Sequence, residues 1–485
     1  MSDRLFDPAP PPPPLATLER SRLRAMFHML QSAWRAGDNL LHMIHPGVED
    51  RPYVVTELGT LRLITINDPA FARQILSERA DRYVKSHMYE AMLGDFIGST
   101  SSLICEGELS RFKRRLLAPA FNARSMKRLE DVVARHTLRT LDRWAALGPG
   151  AEIDLSVETP QLAMEIAMEA FFSTTLGDEA ERLAHLLDEV MALAGSPAMA
   201  DVMDLPSWVP RKSRRVLRPK IAELDKALFK VIDARLATRG DGPPETMDML
   251  DMLVHATDPE TGEPLSRQEV RNEVVTLFTA GHETTALSLA WGLDRLAREP
   301  AAQTALAESA TAAEAAAGRP LTPAEARGTP LVAETYDEML RLYPPAYVVA
   351  REAIVEDSFG DLEIRPNDRL QIAIHLLHRN RLYWDAPGEF RPERFVGARK
   401  PAAFMPFGAG PRSCIGMGMA RMEGHGLLAN LLPRFRLEPV GAPPEPLGKI
   451  TLRSREHIRL RLFPRHRVEP VETAAREDAG APETV

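Results

Sequence analysis

Phe407-Gly408-Ala409-Gly410-Pro411-Arg412-Ser413-Cys414-Ile415-Gly416-Met417-Gly418 sets one thiol among four glycines, with a helical apolar pattern running on through Met419, Met422, Leu427, Leu428 and Leu431. Glycines let a backbone bend sharply and come close to something large and flat without a Cβ in the way. A thiol at the start of a helix lies beside unpaired N–H groups and the positive end of the dipole, so Cys414 is expected to have a lowered pKa. Arg412 adds a cation two residues away. Read from the residues alone, three other roles stay open. A buried structural cysteine is the commonest state of such a residue. A catalytic thiol would need a paired histidine that spacing does not reveal, and zinc would need more than one nearby Cys or His. The Gly-x-Gly pattern lacks the preceding strand of a dinucleotide fingerprint.

Outward from this loop, the chain has 485 residues, 44% hydrophobic and 26% charged, which excludes a disordered tail or a small disulfide scaffold. Sixty Lys and Arg against 68 Asp and Glu leave a net charge of -8, so no overall positive field draws it to nucleic acid. Two cysteines, Cys105 and Cys414, make no secreted disulfide framework. The opening MSDRLFDPAP lacks the basic-then-apolar order of a secretory signal, and no run of about 18 apolar residues occurs. The expectation is a cytoplasmic protein, monomeric and without a membrane span.

Residues 1–25, with the proline run at Pro10 to Pro14, are expected to form a flexible tail, and 467–485 a disordered acidic one. Between them, 26–466 is expected to be one domain in which helix outweighs strand. Tyr53 to Thr56 and Leu61 to Ile66 predict a hairpin turning at Leu58-Gly59, and Asp68-Pro69 the start of a helix. The text from Arg111 to Arg319 is mostly helical. Short strands are expected at Asp361 to Ile364, Leu370 to Ile374 and Phe435 to Glu438, and twice between Lys449 and Phe463.

Three further segments stand out. Ser266 and Glu269 form a capping box, with Leu265 and Val270 as its hydrophobic staple, at the head of a long helix that Pro300 closes. Its apolar text is interrupted by Ala280-Gly281-His282-Glu283-Thr284-Thr285. On its own this patch predicts threonine hydroxyls bonded back one turn and Glu283 facing water. Glu338 and Arg341 lie three apart on a short helix expected between Thr329-Pro330 and Pro344-Pro345. If exposed, such a pair contributes only about 0.2 to 0.5 kcal/mol. Arg111 to Arg115 reads as a solvated basic helix face.

The cysteine loop resembles that of the cytochrome P450 superfamily of haem-thiolate monooxygenases, F-x-x-G-x-R-x-C-x-G, with Phe407, Gly410, Arg412, Cys414 and Gly416 at every specified position. The other segments are similar to the family's A-G-x-E/D-T-T, E-x-x-R and P-E-R-F elements, the last at Pro392 to Phe395. The resemblance implies a triangular, mainly α fold with small β-sheets enclosing haem b, with Cys414 as the axial metal ligand, which favours O–O cleavage. It implies cofactor contacts from Phe407, Gly408, Gly416 and Ala280, and propionate cations at Arg114, Arg351 and Arg412. Ser110 departs from the family's usual Trp or His. Glu283 and Thr284 are assigned to protonation of bound dioxygen. Glu338, Arg341 and Arg394 become a structural network. Ala280, Gly281, Val348, Val349 and Ile450 are expected to line a substrate pocket.

The function so implied is insertion of one oxygen atom from O2 into a C–H or C=C bond of a lipophilic small molecule. Electrons would come from NAD(P)H through an acidic ferredoxin or flavodoxin and its reductase, attracted by the remaining basic residues of the Arg111 to Arg115 run with Lys127 and Arg128, with no reductase expected after Cys414. A peroxide-driven or rearranging haem-thiolate enzyme is the nearest alternative. A haem-binding sensor or electron carrier is the alternative of another class.

Overall fold

A computed structural model describes residues 39–44, 48, 51–58, 61–172, 182–183, 185–187, 189–190, 193, 212–237, 248–257, 261–397 and 399–465. Both expected tails lie outside the described residues. The hairpin forms between β1 (Tyr53–Leu58) and β2 (Leu61–Ile66), with Tyr53 opposite Ile66. Asp68 then caps α1 (Pro69–Arg73), accepting from the Phe71 N–H at 2.8 Å with proline in the first turn, and a π-turn over Gln74–Glu78 follows. β3 (Tyr83–Lys85), β5 (Val349–Ala353) and β8 (Arg369–Ile372) complete a five-stranded sheet in the order β1-β2-β8-β5-β3.

Smaller sheets join β4 (Ala151–Asp154), β12 (Arg459–Pro464) and β9 (Phe435–Pro439), then β6 (Asp357–Phe359) with β7 (Leu362–Ile364), and β10 (Pro446–Gly448) with β11 (Leu452–Ser454). Four expected strands are therefore trimmed or extended, β1 among them, since Leu58 pairs with Leu61 instead of sitting in the turn. Ile374 belongs instead to a short helix, and Asp361 sits in the turn between β6 and β7. Strands of three residues, such as β3 and β6, carry too little alternation to read ahead of a partner.

Helix dominates the rest: α2 (His87–Ile97), α3 (Gly107–Leu117), α4 (Ala123–Ala146), α5 (Leu155–Phe172), α6 (Lys212–Ala237), α7 (Met249–His255), α8 (Arg267–Ala297), α9 (Pro300–Ala317), α10 (Pro323–Gly328), α11 (Val332–Leu342), α12 (Ile374–Leu377) and α13 (Met417–Leu431). The capping box holds: Ser266 Oγ accepts the Glu269 N–H at 3.2 Å while Glu269 Oε2 accepts the Ser266 N–H at 2.9 Å. Leu265 and Val270 are buried in one cluster, as a staple requires. With 31 residues, α8 is about 46 Å long at 1.5 Å per residue.

Its two halves serve different cores. The first packs with α2, α5 and α6, the second with α4, α11 and α13. The centre of α8 therefore falls where two packed regions meet. The start of α11 departs from expectation. Thr322 and Pro323 begin α10, Thr329 ends it, and Leu331 at φ 67° precedes α11. No helix among the described residues is long and apolar enough to cross a membrane.

Candidate active site

The cysteine loop closes on itself through the Cys414 N–H, which donates to the Phe407 carbonyl at 2.9 Å. Gly410 makes the turn possible. It sits at φ 69°, and a Cβ there would lie 2.0 Å from the Leu76 carbonyl oxygen of the π-turn. Phe407 packs against the core cluster of α11 and α13, with the Arg421 guanidinium 5.5 Å from its ring centre. Gly408, at φ 68°, has open space where a side chain would be, and Gly416 precedes α13 with its Cβ position 3.9 Å from Cys414 Sγ.

The expected lowering of the thiol pKa is not what the protein alone produces. Burial pushes the Cys414 thiol up, and the N–H groups of Gly416 and Met417 and the charge of Arg114 pull it down without prevailing. The side chain is nonetheless exposed. The thiol is thus crowded by protein yet reachable from solvent.

The middle of α8 interrupts the burial of that helix. Ala280 is exposed although Phe278 and His282 on either side are buried. At Gly281 an added Cβ would find only the Phe171 ring, 4.0 Å away. Ile415 packs against the cluster that holds Leu277 and Phe278, which joins the cysteine loop to this stretch of helix. A turn further on, Thr284 Oγ1 donates to the Ala280 carbonyl at 2.7 Å, as expected of a helical threonine. Its oxygen keeps acceptor capacity. Glu283 does not face water freely: one carboxylate oxygen accepts from Thr451 Oγ1 and from Arg453 Nε, each at 2.8 Å. Neither partner was readable from sequence, since both lie about 170 residues away on a turn and a three-residue strand.

Four charges gather beside the cysteine loop. Lys85 Nζ donates to the carbonyls of Ser102 and Cys105 at 2.9 Å. Arg412 Nη2 is 2.5 Å from Glu106 Oε2, and Nη1 donates to the Ala80 carbonyl at 2.9 Å. Arg351 is 6% exposed, donates only to the adjacent Ala350 carbonyl among its recorded hydrogen bonds, and leaves Nε buried without a partner. Burial lowers the pKa of both Lys85 and Arg351, and each also feels the charge of Arg412. Three cations thus share one carboxylate, an excess of two positive charges. Beside them Arg114 donates to the Ser413 carbonyl at 2.7 Å. Haem carries two propionates, so this set and the glycine-lined cysteine loop fit it. Lys85 and Glu106 were missed in the sequence because nothing local distinguishes them.

The profile of the family described as Cytochrome P450 matches residues 21–460. The chain belongs to the cytochrome P450 family. It is 31% identical over 335 residues to cyclooctatin synthase of Streptomyces melanosporofaciens, covering 68% of this chain and 71% of that protein. It is 28% identical to the putative cytochrome P450 135B1 of Mycobacterium tuberculosis over 87% of each chain. Protein LUTEIN DEFICIENT 5 of Arabidopsis thaliana is 27% identical over 80% of this chain and 67% of its own. In fold, the chain matches the crystal structure of the cytochrome P450DA heme domain with a TM-score of 0.71, covering 86% of this chain and 89% of that one, at 24% identity. The protein is therefore a haem-dependent monooxygenase, using O2 and reducing equivalents that reach it from NAD(P)H through redox partners.

Behind the cysteine loop of this P450, Glu338 and Arg341 are fully buried, so the low value of an exposed pair does not apply. Arg341 Nε and Nη2 reach the two oxygens of Glu338 at 2.7 and 2.9 Å, and its remaining N–H groups donate to the carbonyls of His378, Pro387 and Glu389. Glu338 Oε1 also accepts from the Arg391 N–H at 2.8 Å and from Arg394 Nε at 3.1 Å.

A pocket of about 120 Å3 opens between β1–β2, the start of α2 and β5. Val348 and Ile450 line it as expected, with Met88, Tyr89, Met92 and Leu93. Val349 does not: it packs on the sheet cluster of Ile64 and Leu370, because successive residues of an extended chain point to opposite sides. Ala280 and Gly281 are not among its walls either, since they belong to the deeper α8 surface.

Proposed function

We propose that this P450 inserts one oxygen atom from O2 into a C–H or C=C bond of a lipophilic small molecule. The carrying observation is the exposed Ala280 and half-buried Gly281 in the middle of α8, a helix whose flanking stretches are mostly buried, with Glu283 and Thr284 one turn from Ala280 on the same element. Cys414 would hold haem, with Arg114, Arg351, Arg412 and Lys85 available as cations for its two carboxylates, and the bound group would supply oxygen activation. Phe407, Gly408 and Gly416 leave the flat space it needs. Thr284 holds a hydroxyl at the chamber wall, and Glu283, anchored by Thr451 and Arg453, stands where it can pass protons inward. The mainly apolar pocket walls favour a lipophile. One relative is named for cyclooctatin and another for lutein, and names so different select no common substrate.

Measured with 18O2, a ferredoxin and reductase pair and a panel of lipophiles, the enzyme is expected to give a product carrying one labelled oxygen. Unlabelled product, or turnover only with added peroxide, would remove this reading. For Thr284→Ala we expect reductant consumption to continue while peroxide replaces product. Glu283→Gln should lower turnover about 10²-fold or more, the span of general acid–base catalysis. Normal coupling in the first variant would take the proton role from this helix.

Electrons are proposed to enter on the thiolate side from an acidic ferredoxin or flavodoxin. Met126 of α4 lies 3.4 Å from a Cβ built on Gly418, which places exposed Lys127 and Arg128 beside the head of α13. Arg115, from the basic run already noted in the sequence, is exposed, as are Arg124 on α4 and Met417 at the head of α13, which were not singled out there. Reversing Lys127 and Arg128 to glutamate should raise the KM for ferredoxin about tenfold at low salt and flatten its salt dependence. An unchanged KM would move the docking face elsewhere.

A further inference from the structure

Three consecutive residues of α8 bind the last turn of α2 and the segment that follows it. Arg271 Nη1 donates to the Phe96 carbonyl at 2.5 Å, Asn272 Nδ2 to Thr100 Oγ1 at 3.2 Å, and Glu273 Oε1 accepts the Ser102 N–H at 2.9 Å. Gly98 lets the chain pass this closely: it sits at φ 82°, and a Cβ there would come within 2.3 Å of the Asn272 side chain. Ser102 is gripped from its other side as well, because its carbonyl accepts from Lys85 Nζ at 2.9 Å. Glu273 is in turn fixed by Lys113 of α3, whose Nζ is 2.8 Å from Oε1, with both side chains fully buried.

Burying two charges costs several kcal/mol per ion, and an apolar pair of similar volume is often as stable or more so. The Lys113–Glu273 bridge is therefore poorly explained as a source of stability. Its position offers a better reason. Ile104, two residues past the gripped Ser102, packs in the cluster that holds Leu277 and Phe278 of α8, against which Ile415 and Ile450 also pack. Leu93 of that cluster, and Met92 and Ile450 packed against it, line the pocket, so a shift of the 98–106 segment would reach the pocket wall through Ile104.

We propose that Glu273, held by Lys113, is a positioning residue that fixes the 98–106 segment as a rigid wall of the substrate chamber and so sets how well bulky molecules fit. It touches neither substrate nor cofactor. It acts through the Ser102 N–H.

The inference rests on the haem-thiolate reading for its spectral probe, and amide exchange reads it independently. Two double variants of the full-length holoenzyme separate the bridge's charge from its hydrogen bond. Lys113→Met with Glu273→Met removes both charges and the acceptor. Lys113→Met with Glu273→Gln removes the charges and keeps an oxygen for Ser102. Clotrimazole, which fills the chamber, and imidazole, which needs little more than the iron, are titrated against the haem spectrum.

The Met/Met variant is expected to bind clotrimazole about tenfold more weakly, the effect of one net hydrogen bond, with imidazole within about twofold and faster amide exchange across 98–106. The Met/Gln variant should stay within about twofold of wild type on every measure. Equal behaviour of the two variants, or a parallel loss of both azoles, overturns the proposal. A wild-type protein without a thiolate-type carbon monoxide band would instead sink the haem-thiolate reading, and the exchange comparison would still decide the role of Glu273.

Discussion

Arg341→Ala is expected to destabilise the protein by about 3 to 5 kcal/mol, because it leaves the Glu338 carboxylate buried without its main counter-charge. Against a total stability of about 5 to 15 kcal/mol, that loss takes a large share and in a weaker background removes the fold altogether. Arg394 remains near Glu338, yet it reaches only Oε1 and cannot replace the donors that Arg341 sends to His378, Pro387 and Glu389. Those carbonyls lose their partner too. Arg341→Lys should recover only part of the loss, since one ammonium cannot match a planar fork addressing two carboxylate oxygens and three carbonyls. Urea unfolding of the three proteins, with haem retention followed in parallel, checks this. A midpoint for Arg341→Ala equal to wild type would show that Arg394 suffices.

The second large effect is at the cysteine loop. Cys414→Ser is expected to fold, because the loop is closed by backbone, through the Cys414 N–H on the Phe407 carbonyl and the tight turn at Gly410, rather than by the sulfur. A hydroxyl is a far weaker iron ligand than a thiolate. The carbon monoxide difference band of the thiolate form should therefore vanish and monooxygenation should fall by orders of magnitude, while urea stability stays close to wild type. An unchanged band would mean that another residue ligates the iron. Unfolding of the variant would mean that the sulfur contributes packing the backbone contacts do not show.

Much of the site was legible in the linear text because its parts are local. A glycine-bent loop ahead of a helix, a capping box, and a polar break inside an apolar helix are each written within about a dozen residues, and each formed where expected. The pair Glu338–Arg341 was legible as a pair, but its value was not: the same three-residue spacing serves a solvated surface and a fully buried network, and only the packing of His378, Pro387 and Glu389 around it distinguishes them. Glu283 shows the same limit, since Thr451 and Arg453 reach it from a distant turn.

By itself the sequence determined the family, the helix-rich fold, the glycine-bent loop that carries Cys414 and the long helix with its polar break, because these rest on short-range pattern and backbone chemistry. Only the tertiary structure decided which charges meet. Burial outweighs the helix terminus at Cys414, two positive charges remain in excess where Lys85, Arg351 and Arg412 share Glu106, and Lys113 with Glu273 fixes Ser102. Electrostatic energy depends on distance through space and on the solvent removed, and neither quantity is written along a chain.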